Sequence, residues 1–475
     1  MPEDVRVLRL GEMLLRQKGS PARRLIHAIM CIALRLFFRR IEMSEAGRAP
    51  ASGACVFVLN HPNGLIDPAL VFCALPRRIS FLAKSTLFRL PVIGYVLRTV
   101  EALPLFRRVD AGEDPRQNVG TFEACQELLR QGRCIALFPE GLSHNETQLL
   151  PIKSGAARIA LGAISVGTDN HNGAGVSALK IAPVGLYYTS KTSFRSEALL
   201  RFGEPLEVTP VELDERGEPP REAVRELSAR IERALREVTI NVETDEELEV
   251  ALKAGQLFAS LEEGLDIEQS LTARFAFLSR FTRAAPQTAG ATPEQAAALR
   301  RRILAYEEEL RGLGLASENL SLSRHSKWYV LRHFLLRGAL LLLLLPLSLV
   351  GAVLHLPAYL LSTLLARLFT KHGVDEATST VKILAAVALM PLTWLVLAGL
   401  CYYFWGWRAA VASVPLSVLC GYVAMRSLEE LYDLRGWLKA VVVLVQRRGQ
   451  FLRLLLERRS LHRELARAGD ETPDA

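Results

Sequence analysis

Residues 54–68 read Ala-Cys-Val-Phe-Val-Leu-Asn-His-Pro-Asn-Gly-Leu-Ile-Asp-Pro. An apolar run rich in β-branched and aromatic residues stops at Asn60, as a buried strand does. His61 precedes Pro62, which holds its backbone extended. Asn63-Gly64 supplies a turn. Asp67-Pro68 is a helix-start signature, with Asp expected at the N-cap and Pro at the first helical position. Strand, turn and helix start follow one another, and the turn brings a histidine at a strand end back towards an aspartate.

The alternation continues downstream. Strands are expected at ISFLAK (79–84), CIALFPE (134–140), KIAPVGLYY (180–188) and LLRFGEPLEV (199–208). Helical stretches lie between them: PALVFCAL (68–75), NVGTFEACQELLRQG (118–132) and SGAARIALGAISVG (154–167). Strands alternating with helices define an α/β domain with a mostly parallel sheet flanked by helices. Ligand sites in such sheets lie at the carboxyl ends of the strands.

Upstream, residues 20–43 (SPARRLIHAIMCIALRLFFRRIEM) open on a Ser-Pro helix start and repeat Leu25, Ile29, Ile32, Leu36 and Phe37 at helical spacing. With Arg pairs between the apolar patches, a helix lying in a membrane interface is expected; a helix packed on its own domain is the alternative. Residues 211–330 are charge-rich and helical in pattern, punctuated by Ala285-Pro286 and by Gly312 and Gly314. From 334 to 366 and from 383 to 425 the chain is almost free of charge. About 20 apolar residues make one membrane span. The second stretch therefore suits a hairpin turning near Gly406-Trp407-Arg408. The first, interrupted by Pro346, Gly351, His355 and Pro357, is either one long span or a re-entrant pair broken at its prolines, the latter favoured if the number of full crossings is even. The tail after Met425 carries Arg447, Arg448, Arg458 and Arg459, which places it on the cytoplasmic side.

The 475 residues carry a net charge of +8, from 58 Lys and Arg against 50 Asp and Glu. The basic pairs flank apolar runs, which favours a membrane surface over nucleic acid. Seven scattered cysteines, without a CxxC pair or other metal spacing, argue for a reducing compartment and against a disulfide framework. The N-terminus has no signal-peptide pattern.

Three local features carry chemistry. A His–carboxylate pair, His61 and Asp67, suits general-base catalysis on an alcohol, because the carboxylate fixes the tautomer and supports the imidazolium. Phe138-Pro139-Glu140-Gly141-Leu142-Ser143 follows a strand and offers a polar pocket wall for a polyol. Ala102-Leu103-Pro104-Leu105-Phe106-Arg107-Arg108 ends an apolar run in guanidinium groups that match phosphate oxygens. Alone, each is a common turn, cap or solvated pair.

In order and spacing they resemble four blocks of the glycerol-phosphate and lysophosphatidate acyltransferase family, the last being Ile181-Ala182-Pro183-Val184-Gly185. The resemblance covers roughly residues 50–210. It implies that His61 and Asp67 are the catalytic pair and that Arg107 binds the acceptor phosphate, with Arg108 or Lys153 as substitutes. Glu140, Gly141 and Ser143 would position the glycerol part, and no metal or cofactor is implied. The family block has four residues between His and Asp; here there are five, the extra one falling in the Asn63-Gly64 turn. The longer block, GLSHNETQLLPIKSGAARIAL and REVTINVETDEELEV resemble the branch of fungal glycerol-3-phosphate and dihydroxyacetone-phosphate acyltransferases, whose members carry membrane segments near the C-terminus.

The expected organisation is an interfacial region at 1–48, an acyltransferase catalytic domain at 49–210, a helical charged extension at 211–330, transmembrane helices at 331–426 and a basic cytoplasmic tail at 427–475. The expected function is acyl transfer from acyl-CoA or acyl carrier protein to a glycerol-phosphate acceptor, on a multi-pass protein whose catalytic domain faces the cytoplasm. The alternatives are transfer to another lysolipid, an inactive lipid-binding or scaffold protein, and a transporter. Intact His61, Asp67 and Glu140 speak against the scaffold, and apolar runs almost free of ionisable groups against the transporter.

Overall fold

The computed structural model describes all residues except 1–3, 17–18, 108–109, 111, 166–177, 260–269, 285–292, 316–326, 370–374 and 471–475. It divides into two compact units, residues 1–241 with 369–380, and residues 242–368 with 381–475. Ala285-Pro286 lies outside the described residues.

The first unit holds strands β1 (Val5–Val7), β2 (Phe38–Ser44), β3 (Ala54–Leu59), β4 (Ile79–Lys84), β5 (Leu103–Leu105), β6 (Cys134–Leu137), β7 (Leu179–Tyr188), β8 (Ser196–Phe202) and β9 (Leu206–Val208). Its helices are α1 (Leu10–Leu15), α2 (Pro21–Phe37), α3 (Ile66–Ala74), α4 (Pro91–Thr99), α5 (Asn118–Arg130), α6 (Gly155–Ser165) and α7 (Arg221–Val238). The strands form one sheet in the order β1-β2-β8-β7-β3-β6-β4-β5, with β9 beside β7. β3 lies between β7 and β6 and is parallel to both, so Val56 stands beside Ile181 and Ile135. β4 is parallel to β6 and β5, while β8 and β9 run antiparallel to β7. The expected mostly parallel sheet flanked by helices is present. Every residue of β3 is buried, which is why its sequence reads as a continuous apolar run rather than an alternating one.

Several features differ from the sequence reading, and the one strand expected over 199–208 is two, β8 and β9, each pairing with β7. The helix expected over 20–43 ends at Phe37, and Phe38–Ser44 becomes β2, parallel to β8. Phe38, Ile41 and Met43 are buried there, so tertiary pairing outweighs a run that continues the helical pattern. The sheet's core also reaches past residue 210. The stripe Val224, Leu227, Ile231, Leu235 and Val238 of α7 packs with Val56, Ile135 and Ile181, as a single amphipathic face must when a sheet is available to cover it. α2 shows two faces. Leu25, Ile29, Ile32 and Leu36 are exposed, whereas Arg23, His27, Cys31 and Leu34 are buried.

The second unit contains α8 (Asp245–Ala259), α9 (Leu271–Ala284), α10 (Pro293–Leu313), α11 (Lys327–Phe369), α12 (Asp375–Trp405), α13 (Trp407–Gln446) and α14 (Arg448–Asp470). Val250, Leu257, Phe277, Ile303, Tyr306 and Leu310 form one core with Ala440, Phe451, Leu454 and Leu461. Arg302 of α10 pairs with Glu457 and Glu464 of α14 at 2.8 and 2.6 Å. Segments before and after the apolar region thus fold together.

Among the described residues, three helices are long and apolar enough to cross a membrane: Leu331–Leu368, Thr380–Trp405 and Trp407–Gln446. Of the two readings of the first stretch, one long helix is the one present, since α11 runs unbroken through Pro346 and Pro357. Proline is tolerated within apolar spans because neighbouring groups re-satisfy the freed carbonyl. α12 and α13 are separated at Gly406, whose φ of +81° suits glycine. α11 and α13 approach closely, with Gly351 against the backbone of Cys420 and Gly421 against the His355 ring.

Candidate active site

His61 follows the carboxyl end of β3, and Asp67 lies in the first turn of α3. The helix begins earlier than its sequence signature suggests: Leu65 is the N-cap, and Asp67 is the second helical residue. Its carboxylate does not cap the helix but turns back over the loop. Asp67 Oδ2 accepts the backbone N–H of Asn63 at 2.7 Å and lies 2.9 Å from His61 Nδ1. The turn accommodates the five-residue spacing with the pair in hydrogen-bond contact.

Asp67 is fully buried, and its other oxygen accepts the Tyr188 hydroxyl at 2.6 Å. Tyr188 ends β7, the parallel neighbour of β3. Burial, and then the charge of Asp67, push the Tyr188 phenol well above its usual pKa, so it remains a donor. With Asp67 accepting from Nδ1–H, Nε2 of His61 is left as the basic nitrogen. The imidazole stacks on Phe138, ring centres 4.0 Å apart and planes at 16°. His61 borders a cleft with Asn60, Glu140, His144, Gln148 and Lys191.

Glu140 follows β6, the other parallel neighbour of β3. It is 2% exposed. Oε1 accepts the His61 backbone N–H at 2.9 Å. Oε2 accepts the Leu150 N–H at 3.0 Å and contacts His144 Nε2, while His144 N–H donates to the His61 carbonyl at 3.2 Å. Asn60 grips β7 through both its amide atoms, at 3.1 Å to the Leu186 carbonyl and 2.7 Å from the Leu186 N–H. The histidine's backbone is therefore held from both adjacent strands.

Gly141 has φ +78°, and a β-carbon there would collide with the Lys153 side chain. Its carbonyl accepts Arg107 Nη1 at 2.9 Å, and the Lys153 N–H donates to the Pro139 carbonyl at 2.8 Å. Arg107 and Lys153 thus converge on the turn that carries Glu140. Arg107 also forks onto Asp110 at 2.9 and 3.1 Å, and Lys84 reaches the same carboxylate at 2.8 Å. The Arg107 hydrogen bonds, assisted by Lys84 and opposed by burial, hold the Asp110 carboxyl below its usual range. Ser143 is half-buried two residues beyond Gly141. Arg108 lies outside the described residues.

Tyr188, Asn60, Asn63, His144, Phe138 and Asp110 are site residues that motif reading did not single out. Asn60, Asn63, Phe138 and His144 lie in or beside the motifs themselves. Tyr188 is brought in only by strand pairing, and the sole sequence signal for it is its place at the end of an expected strand.

Strand-end His–Asp and Glu side chains on a mostly parallel sheet, with arginine and lysine gathered on the adjoining turn, define an acyltransferase-type α/β domain. Residues 40–186 match the family described as Acyltransferase, and residues 291–472 match that described as Glycerol-3-phosphate acyltransferase 2 C-terminal domain. The chain thus carries an acyltransferase-type domain followed by a region similar to the C-terminal domain of glycerol-3-phosphate acyltransferase 2. It is 30% identical over 290 residues to glycerol-3-phosphate O-acyltransferase 1 of Saccharomyces cerevisiae, a match spanning 59% of this chain and 36% of that one. It is 24% identical over 477 residues to an uncharacterized acyltransferase of Schizosaccharomyces pombe, covering 79% of this chain and 68% of that protein. A 1-acyl-sn-glycerol-3-phosphate acyltransferase of Brassica napus is 32% identical over 124 residues, 26% of this chain and 34% of that one. The chain therefore spans little more than a third of the length of its Saccharomyces relative.

Proposed function

We propose that this chain is a membrane-bound O-acyltransferase that moves a fatty acyl group from a thioester, acyl-CoA or acyl carrier protein, to the hydroxyl of a glycerol-phosphate acceptor. The observation that carries the reading is the buried, triply hydrogen-bonded Asp67 holding His61 by Nδ1 at the edge of a cleft. His61 Nε2 takes the acceptor hydroxyl's proton as the oxygen attacks the thioester carbonyl. The tetrahedral intermediate collapses by expelling the thiolate, which recovers the proton from the imidazolium. Asp67 fixes the tautomer and supports the transient charge. Transfer is direct, with no acyl-enzyme and no cofactor beyond the acyl donor. Arg107 and Lys153 hold the acceptor phosphate, with Glu140, Gly141 and Ser143 shaping the glycerol site. The match of residues 291–472 and the Saccharomyces relative favour glycerol-3-phosphate as acceptor over its 1-acyl derivative.

The protein is multi-pass in this reading, with the catalytic domain on the cytoplasmic side. The segments before the first apolar helix and after the last share one core, which requires an even number of full crossings between them. Two of the three apolar helices then cross completely and the third enters without crossing. The Arg-rich tail sets the shared core on the cytoplasmic face. The exposed stripe Leu25, Ile29, Ile32 and Leu36 of α2, with Arg24 and Arg35 beside it, suits contact with the lipid interface. Acyl chain and product both partition into lipid, so a site at that interface shortens their path.

The test uses purified protein in detergent–lipid micelles with labelled acyl-CoA or acyl carrier protein, and glycerol-3-phosphate or 1-acylglycerol-3-phosphate supplied separately. Acylation of glycerol-3-phosphate that falls by about 10²–10⁴ in His61→Ala is expected. Equal activity in the mutant would sink the mechanism. No transfer to either acceptor with either donor would favour a different lysolipid or a non-catalytic role.

A further inference from the structure

One buried cluster takes no part in the chemistry above. His27 and Cys31 stand one turn apart on the buried face of α2, and Cys73, at the far end of α3 from Asp67, meets them where the two helices pack. Their exposures are 1%, 0% and 0%. Cys31 Sγ lies 3.5 Å from His27 Nε2 and 3.7 Å from Nδ1. One donor atom from each of the three residues lies within 4.8 Å of the other two. Phe72 packs against the imidazole in a T-shaped contact, ring centres 5.3 Å apart and planes at 73°.

Those separations suit a shared metal ion as well as thiol–imidazole hydrogen bonding. Around a soft ion with metal–sulfur bonds of about 2.3 Å and metal–nitrogen bonds of about 2.0 Å, neighbouring donor atoms sit roughly 3.5–4 Å apart in trigonal or tetrahedral geometry. The His27–Cys31 separations already lie in that range. Two thiols and an imidazole are a donor set for thiophilic d¹⁰ ions and a poor one for Mg²⁺ or Ca²⁺. The sequence hides the group because its members come from two helices; only the His-x-x-x-Cys spacing, which puts two donors on one helix face, is visible beforehand.

We propose that His27, Cys31 and Cys73 form a site for a thiophilic metal ion, Zn²⁺ or Cu⁺, that ties α2 to the helix bearing Asp67. Bound there, the ion braces the end of α3 opposite its catalytic turn. It also couples that helix to α2, whose other face carries the exposed apolar stripe.

The full chain, purified in detergent under reducing conditions without chelator, tests this. Metal analysis, followed by reconstitution with Co²⁺ as a zinc surrogate and separately with Cu⁺, should give one equivalent per chain. Co²⁺ should add a thiolate-to-metal charge-transfer band in the near ultraviolet that Zn²⁺ abolishes by displacement. Cys73→Ser and His27→Gln should each lose the band, while Cys125→Ser, a buried thiol elsewhere in the same unit, should keep it. Because buried substitutions also perturb folding, the wild-type protein is decisive by itself: reconstituted wild type that retains neither metal overturns the proposal. So does a Cys31–Cys73 disulfide in the reduced preparation, a band that survives Cys73→Ser, or one that Cys125→Ser removes.

Discussion

The carboxylate of Glu140 accepts the backbone N–H of His61 at 2.9 Å, so the ends of two parallel strands are joined at the residue proposed as general base. Oε2 is occupied as well, by Leu150 N–H and by His144. A carboxylate meets three donors with acceptor oxygens only; an amide cannot, because its NH₂ would face a donor. Glu140→Gln should therefore destabilise the fold by about 1–3 kcal/mol, seen as a lower Tm. It should also lower kcat by displacing His61. An unchanged Tm would mean that these bonds do not restrain the strand ends.

Tyr188→Phe removes a single buried donor, the hydroxyl 2.6 Å from Asp67 Oδ1, with almost no change in shape. The carboxylate keeps His61 and Asn63 but loses its third partner. A net cost of about 1.5–3 kcal/mol is expected for a hydrogen bond to a charged group. Part should appear as a lower Tm and part as a fall in kcat at constant KM, since Tyr188 acts through Asp67 and touches no substrate. A raised KM with unchanged kcat would place Tyr188 in substrate binding instead.

The strands of the central sheet were legible because each is a short apolar run closed by Gly, Pro or a polar residue. β3, β4, β6 and β7 fall where the pattern put them. β1, β2 and β5 were not, for physical reasons: β1 and β5 have only three residues, and Phe38–Ser44 continues a helical pattern that pairing with β8 overrides. At the site, spacing marked His61, Asp67, Glu140 and Arg107 because each lies in a turn with its own local chemistry. Tyr188 and Asp110 become visible only once strands or side chains meet, which no single-segment pattern encodes. Sequence alone leaves α11 open between one long span and a broken pair, because proline breaks a helix in water but is tolerated within an apolar span.

Asp110 makes a pH prediction. Its carboxyl is held below the usual range chiefly by Arg107, so the folded state binds its proton less readily than the unfolded chain. The resulting stability is fully present above the unfolded value of about 3.9 and is lost as pH falls through the lower, folded value. Tm of the wild type should thus exceed that of Asp110→Asn at neutral pH, and the difference should shrink below about pH 4. The same substitution frees the Arg107 fork and should lower KM for glycerol-3-phosphate. Arg107→Ala should raise that KM by roughly tenfold or more, the worth of about 1.5–3 kcal/mol in charge-assisted bonds. A pH-independent difference in Tm would show that the Arg107–Asp110 pair contributes nothing to the fold's acid stability.

Within the apolar helices α11 and α13 come close at Gly351, where an added β-carbon would collide with the backbone of Cys420 and touch Ala424. The obstacle is main chain, so no rotamer change can relieve it; α11 and α13 must separate. Helix association in lipid rests on such close backbone contact between small residues, because lipid tails offer no hydrophobic driving force for it. Separation would also loosen the nearby contact of Gly421 with His355, whose Nε2 accepts Trp394 Nε1–H at 2.9 Å. Gly351→Leu should cost about 1–3 kcal/mol by overpacking, measured as a lower Tm in detergent. Cys420, 4% exposed in the wild type, should become reactive to maleimide, and Cys420→Ser in the same background should abolish the added labelling. Gly351→Ala already carries the clashing β-carbon and should show most of the effect. If both variants keep the wild-type Tm and leave Cys420 protected, α11 and α13 do not pack at Gly351 in the membrane.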